Sequence, residues 1–303
     1  RFPDAIVQAT TADDVVAAVG LATAQNWKVG VRSGGHSWSC NHVRDGGLLL
    51  DLSRLNEVEI DLERMIAVVG PGVRSNELDA LLDRLGVFFP VGHCEGVGLG
   101  GYLLQGGFGW NSRALGVACE SVVGLDYVDA DGKLRHASAT ENPDIYWAAR
   151  GSGPGFFGIV TRFHLRLYPR PRVIGGQLGI YPLEMFEDLV RWGHHVGPSV
   201  PTTVELMFVA SRKLPHSGAP GVLVIIGVFA DDLDQVHRDL AFLQSRPEGA
   251  LQFLPFAEMN VENLTKATMA MLPEDHYHVV DNIWTHADAD ALVPVLRDVV
   301  ADL

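Results

Sequence analysis

Val29-Gly30-Val31-Arg32-Ser33-Gly34-Gly35-His36-Ser37 reads as a short apolar strand that breaks into a glycine turn carrying a histidine. Gly34 and Gly35 free the backbone to take positive φ. Successive N–H groups can then face one concavity, a nest suited to phosphate, with His36 at its rim. A histidine after glycines is most often an ordinary turn residue, so the reading needs support from the rest of the chain.

Upstream, residues 5–7 form a short strand. Thr11-Ala12-Asp13-Asp14 matches a capping box with Asp in place of Glu, and Val15, Val16, Val19 and Ala22 give a helical apolar face. With a strand at 27–31 this makes a strand–helix–strand unit ending in the nest. Downstream come a buried strand at 48–52, a hairpin of 58–60 with 65–69, and a helix that starts at Ser75 and closes at Gly86. Strands at 122–128 and 134–137 flank the turn Asp131-Gly132. Asn142-Pro143-Asp144 opens a helix, and 156–168 reads as a long strand alternating at Phe163, Leu165 and Leu167.

Pro169-Arg170-Pro171-Arg172 breaks the chain, and glycine thins out after it. Strands are expected at 176–181, 204–210, 222–229, 251–256 and 277–284, and helices at 183–195, 233–243 and 292–303. The expectation is an α+β protein of two domains, residues 1–170 and 171–303.

Composition narrows the partners. The 303 residues are 47% hydrophobic and carry a net charge of −14. Nucleic acid and anionic membrane both call for a basic face, and neither is expected as a partner. No apolar run approaches the ~20 residues of a membrane span. Arg1-Phe2-Pro3-Asp4 is no signal peptide, and Cys40, Cys94 and Cys119 make no disulfide framework, so the cytoplasm is the default expectation. The abrupt start at a strand leads us to expect residues upstream.

A second glycine region runs from 92 to 110, with glycine at 92, 96, 98, 100, 101, 106, 107 and 109 and aromatic residues between them. It is too apolar for a flexible linker and reads as backbone packed against a flat ligand. Gly96, Gly98 and Gly101 also satisfy G-x-G-x-x-G, with Glu120 placed as a ribose-binding acid, which is the pattern of an NAD-dependent dehydrogenase. Pro90, Gly92 and His93 before it and Gly106, Gly107 and Gly109 after it argue against that strand–turn–helix context. Cys94 lies in this region, and both Cys94 and His36 are nucleophiles able to attack an electrophilic ring carbon.

Three motifs in order carry a family resemblance: Arg32 to Ser37; Gly92-His93-Cys94 with Val97 to Gly101 and Gly106 to Gly109; and Tyr146 to Gly151 with Phe157 to Thr161. The chain resembles the FAD-linked oxidases of the vanillyl-alcohol oxidase / p-cresol methylhydroxylase superfamily, and within it the berberine bridge enzyme-like branch. The resemblance implies a two-part FAD-binding domain of the p-cresol methylhydroxylase type, followed by a substrate (cap) domain. It implies His36 as the covalent link to the flavin 8α-methyl and Cys94 as the link to C6. Arg32, Ser33, Gly34, Gly35, His36 and Ser37 match the pyrophosphate loop. Val97, Gly98, Gly100, Gly101, Gly106, Gly107 and Gly109 match the segment along the diphosphate and ring, and Gly158, Ile159 and Val160 match backbone against FAD. Tyr102 and Trp110 fall near the presumed ring, where stacking and core packing are alternative readings. The resemblance further implies an alcohol-type substrate, a sugar or secondary metabolite, with dioxygen as the other reactant. Family chains continue beyond position 303, so a cap incomplete at its carboxyl end is expected, and with it a catalytic base that these residues do not identify. That gap motivates a non-catalytic flavin- or sugar-binding module as the rival from another class.

No metal site is expected. His194 and His195 are adjacent rather than one turn apart, His276 and His278 read as exposed or satisfied histidines, and Cys40 and Cys119 read as packing residues.

Overall fold

A computed structural model describes residues 1–214, 218–270, 280 and 282–301. The chain divides into two compact units, Arg1–Arg170 and a second that starts at Pro171.

The first unit opens with β1 (Ala5–Gln8), α1 (Ala12–Ala24), β2 (Val29–Arg32) and β3 (Leu48–Asp51). The expected capping box is present: the Thr11 hydroxyl accepts from the Asp14 N–H, and the Asp14 carboxylate accepts from the N–H groups of Thr10 and Thr11. The three strands form a parallel sheet in the order β1-β3-β2. β3 therefore lies between the two strands of the strand–helix–strand unit, pairing with both.

β4 (Val58–Asp61), β5 (Ile66–Val69), β7 (Val122–Val128), β8 (Leu134–Ser138) and β9 (Ile159–Arg166) form an antiparallel sheet in the order β4-β5-β9-β7-β8. Strand alternation sends Phe163, Leu165, Leu125 and Ala137 into the core, all buried. Helix α1 joins the two sheets: Val15, Ala18, Val19 and Ala22 pack with Leu48, Leu50 and Leu52 of the parallel sheet and with Val128 and Ile159 of the antiparallel one. Between β5 and β7 in sequence come α2 (Ser75–Arg84), β6 (Val87–Phe88), α3 (Leu99–Leu104) and α4 (Ser112–Leu115). Helix α5 (Pro143–Ala148) follows β8, and β10 (Tyr168–Pro169) pairs antiparallel with β6. The long strand expected from 156 starts only at Ile159, because Gly153–Gly155 forms a tight turn and the extended pairing begins after Gly158.

The second unit is a four-stranded antiparallel sheet, β12-β13-β11-β14, built from β11 (Val173–Pro182), β12 (Val204–Ser211), β13 (Gly221–Ala230) and β14 (Gln252–Glu258). Helix α6 (Phe186–Val196) turns Phe186, Leu189, Trp192 and Val196 toward Val222, Val224, Ile226 and Val228 of β13. Helices α7 (Leu233–Asp239), α8 (Val261–Met269) and α9 (Ala289–Ala301) complete it. The helix expected at 233–243 ends at Asp239 and tightens into a 3-10 turn over Ala241–Ser245. Of the strand expected at 277–284, residues 277–279 and 281 lie outside the described residues, as do His276 and His278, and 282–284 have no regular structure. Helix α8 has no counterpart in the sequence reading. The α+β class holds in both units, and among the described residues no helix is long and apolar enough to cross a membrane.

Candidate functional site

The loop that follows β2 is pinned at its base. Arg32 stands in register with Asp51 of β3, and its guanidinium donates to the Asp51 carboxylate at 2.8 Å. Burial pushes the Asp51 carboxyl up, but hydrogen bonds from Ser53 and the Arg32 charge outweigh it and hold the group below its ordinary range. The Arg32 side chain also covers Gly35. A Cβ there would come within 2.8 Å of Arg32 Nε, and the φ of +71° favours glycine in its own right. The Ser33 hydroxyl donates to the Pro71 carbonyl at 2.5 Å. From this base His36 and Ser37 project as exposed residues.

The second glycine region docks on the first. A Cβ at Gly34 would stand 2.5 Å from the Gly98 nitrogen and 2.9 Å from its Cα, so the two backbones touch where both residues are glycine. The turn at Gly70-Pro71-Gly72 locks the pair. Its Pro71 carbonyl accepts from Gly100 N–H at 3.0 Å as well as from Ser33, and the Val73 carbonyl accepts from Leu99 N–H at 2.9 Å. Ser75 N–H and its hydroxyl both donate to the Val97 carbonyl, and the Asn76 side chain accepts from Gly96 N–H at 3.0 Å. Pro71, in a turn already legible as Gly70-Pro71-Gly72, and Asn76 are not among the site residues expected from the sequence. The Gly-Pro-Gly turn was the visible signal for the first, and no local pattern marked the second.

Cys94 sits two residues before Gly96, half-buried, and burial pushes its thiol above the ordinary range. Tyr102 and Trp110 have packing roles. The Tyr102 hydroxyl donates to the Pro90 carbonyl at 2.8 Å and its ring lies against Gly92 and Gly107. Trp110 is fully buried, its ring edge-on to His93 at 4.2 Å between centroids. Gly106 and Gly107 carbonyls accept from the N–H groups of Cys119 and Ala118. Cys119 is buried, as expected of a packing residue, whereas Cys40 is exposed at a positive φ of 50° because it lies in a loop turn.

Gly158 precedes β9, and Ile159 and Val160 open it. The side chains of Ile159 and Val160 are buried, and their backbone pairs with Val128 and Tyr127 of β7. On the opposite edge the pairing with β5 stops at Phe163, so no strand of this sheet covers Ile159 and Val160 there.

Some of the glycine surface is bare. An added Cβ at Gly96, Gly101 or Gly106 would meet nothing within 4 Å. The glycine stretch from Gly151 to Gly155 reaches α3, since Gly151 N–H donates to the Leu104 carbonyl at the end of that helix. Arg150, just before it, lies over the Tyr146 ring at 4.2 Å and keeps a buried Nε with no hydrogen-bond partner among the described residues. Bare backbone, a spare guanidinium N–H and two nucleophilic side chains suit a flat ligand with an anionic part.

The G-x-G-x-x-G at Gly96 to Gly101 does not sit in a nucleotide-binding βαβ unit. The preceding β6 pairs only with antiparallel β10, and the helix that opens at Gly98 lasts six residues before Gly106 and Gly107 end it. The parallel sheet and long helix that such a site needs are both missing here.

Residues 3–138 match the family model described as FAD binding domain. The chain is 37% identical over 294 residues to the FAD-linked oxidoreductase nodO of Hypoxylon pulicicidum, an alignment that covers 96% of this chain and 65% of that protein. Among solved structures it superposes on 6-hydroxy-D-nicotine oxidase from Arthrobacter nicotinovorans with a TM-score of 0.79 at 26% identity, covering 91% of this chain and 61% of that one. It superposes on the xylooligosaccharide oxidase from Myceliophthora thermophila in complex with xylobiose with a TM-score of 0.76 at 28% identity, covering 88% of this chain and 55% of that one. The chain thus spans just under two thirds of the length of the curated relative it matches.

Proposed function

We propose, from the match of residues 3–138 to the FAD binding domain and the likeness to FAD-linked oxidoreductases, that the chain belongs to an oxidase of that kind whose FAD is held covalently by both His36 and Cys94. The contact between Gly34 and Gly98 supports this most directly, because it brings the His36 loop and the Cys94 loop together with bare glycine backbone beside them.

FAD supplies the two-electron redox chemistry when bound. The protein's residues bind and orient it. The backbone from Ser33 to Ser37 would cradle the diphosphate with Gly98 to Gly101 packed alongside, the Leu99 and Gly100 N–H groups being taken by the Val73 and Pro71 carbonyls, and Arg150, whose Nε has no hydrogen-bond partner among the described residues, would add a cationic donor. The free edge at Ile159 and Val160 offers backbone to the flavin, and Tyr102 and Trp110 hold the glycine loop in shape. The unit from Pro171 onward serves as the substrate (cap) domain. The substrate class is an alcohol, a sugar or secondary metabolite, with dioxygen as the electron acceptor; the xylobiose held by one structural neighbour supports the sugar.

Acid precipitation of the purified protein tests the reading. A yellow pellet with a mass increase of one FAD is expected, and a colourless pellet overturns covalent attachment. Cys94→Ala and His36→Ala should each keep one linkage and change the flavin spectrum. A Cys94→Ala spectrum equal to that of the parent removes the second link. Peroxide release in a screen of oligosaccharides and alcohols separates an oxidase from a binding module, whose flavin no substrate would bleach.

A further inference from the structure

The polar face of the five-stranded sheet carries a histidine–carboxylate cluster that the flavin reading does not use. Asp126 of β7 pairs in register with His136 of β8, and His164 of β9 pairs with Gly124, two residues before Asp126. Strand alternation therefore puts all three side chains on one face. His136 Nδ1 lies 2.7 Å from Asp126 Oδ1, and His164 Nε2 lies 3.3 Å from Asp126 Oδ2. The ring centroids are 5.4 Å apart, near perpendicular. Gly124 makes room, since a Cβ there would stand 3.2 Å from His136 Cε1. Arg162, the register neighbour of Asp126 on β9, has an Nη within 3.4 Å of the Glu57 carboxylate.

One ligand atom from each of the three residues can be chosen so that all lie within 4.8 Å of one another, the one such trio among the described residues. Asp126 also lines a cavity of about 350 Å³ together with Glu57, Glu59, Thr161 and Arg162. Two imidazole nitrogens aimed at one carboxylate, all three groups half-buried, have the chemistry of a three-ligand zinc site with an open position.

We propose that Asp126, His136 and His164 bind a divalent transition metal of the zinc class, with water completing the coordination. The metal takes the place of the N–H protons now shared with the carboxylate, so His136 Nδ1 and His164 Nε2 bind it as neutral imidazole. It ties β8, β7 and β9 together and stabilises the folded state by mass action. The site is independent of flavin attachment.

The full chain, dialysed against chelator and titrated with zinc chloride in a calorimeter, should take up one Zn²⁺ per molecule with a rise in melting temperature. Asp126→Asn and His164→Gln should each abolish that uptake while far-ultraviolet circular dichroism stays unchanged. Binding that persists in both variants overturns the proposal, as does no binding in the parent. If the variants fail to fold, diethylpyrocarbonate labelling of the unmodified chain decides. Zinc should reduce labelling of His136 and His164 and leave exposed His237 labelled. Equal labelling of His136 and His164 with and without zinc overturns the site.

Discussion

Gly98 and Gly34 meet at a distance that no other pair of residue types allows. A Cβ at Gly98 would press on the Gly34 backbone and come within 2.5 Å of the Ser33 hydroxyl oxygen. Gly98→Ala should cost about 1–3 kcal/mol, the usual range for overpacking a rigid contact, read as a lower melting temperature. Because the contact is also the hinge of the proposed flavin clasp, the same variant should retain less flavin after acid precipitation. A drop in stability with full flavin retention would assign Gly98 to packing alone. Cys94 adds a pH dependence. Burial raises its thiol, so little thiolate exists near neutrality and more forms as pH rises. In a His36→Ala chain, covalent capture of added FAD at Cys94 should therefore accelerate between about pH 6 and 9. A rate flat across that window would separate attachment from the thiolate.

At the level of elements, α1 matters most, because it joins the two sheets of the first unit. Its amino-terminal cap is closed by Thr11 and Asp14. The Asp14 carboxyl is lowered to about 2, first by the Thr10 backbone N–H and then by the Thr10 hydroxyl and Thr11 N–H. A depressed carboxylate contributes stability above its unfolded pKa of about 3.9, and that contribution is lost as pH falls toward about 2. Asp14→Asn should flatten the acid limb of a melting-temperature profile between about pH 4 and 2; a profile that keeps its slope would assign the acid sensitivity to other carboxylates. Thr11→Ala should cost about 1 kcal/mol in denaturant unfolding. This cap was readable because its residues are three apart. Helix α8 was not readable: its buried contacts, Val261, Leu264 and Thr265, give too short an apolar stripe to stand out from a loop, and the Asn260 cap alone does not announce a helix.

Over the whole molecule, the two units each have their own core. Leu189 of α6 is fully buried in the second unit. Leu189→Ala should destabilise that unit by about 2–5 kcal/mol. Every residue proposed to hold flavin lies in the first unit, so the variant should keep the mass increase of one FAD. Loss of the flavin would mean that cofactor retention depends on the second core.

Local pattern alone determined a good part of this protein. Period-two alternation at Phe163 and Leu165, the Asp131-Gly132 turn, the α1 cap and the ordered glycine motifs are all set by residues a few positions apart, where sterics and hydrogen bonding act without the rest of the fold. The tertiary structure alone decided where distant residues meet. It placed β3 between β1 and β2, set Gly34 on Gly98 across more than sixty positions, left Arg150 Nε without a partner among the described residues, and drew Asp126, His136 and His164 onto one face. None of these follows from spacing, because strand order and register are fixed by which apolar faces can be buried together, and that is a property of the folded chain as a whole.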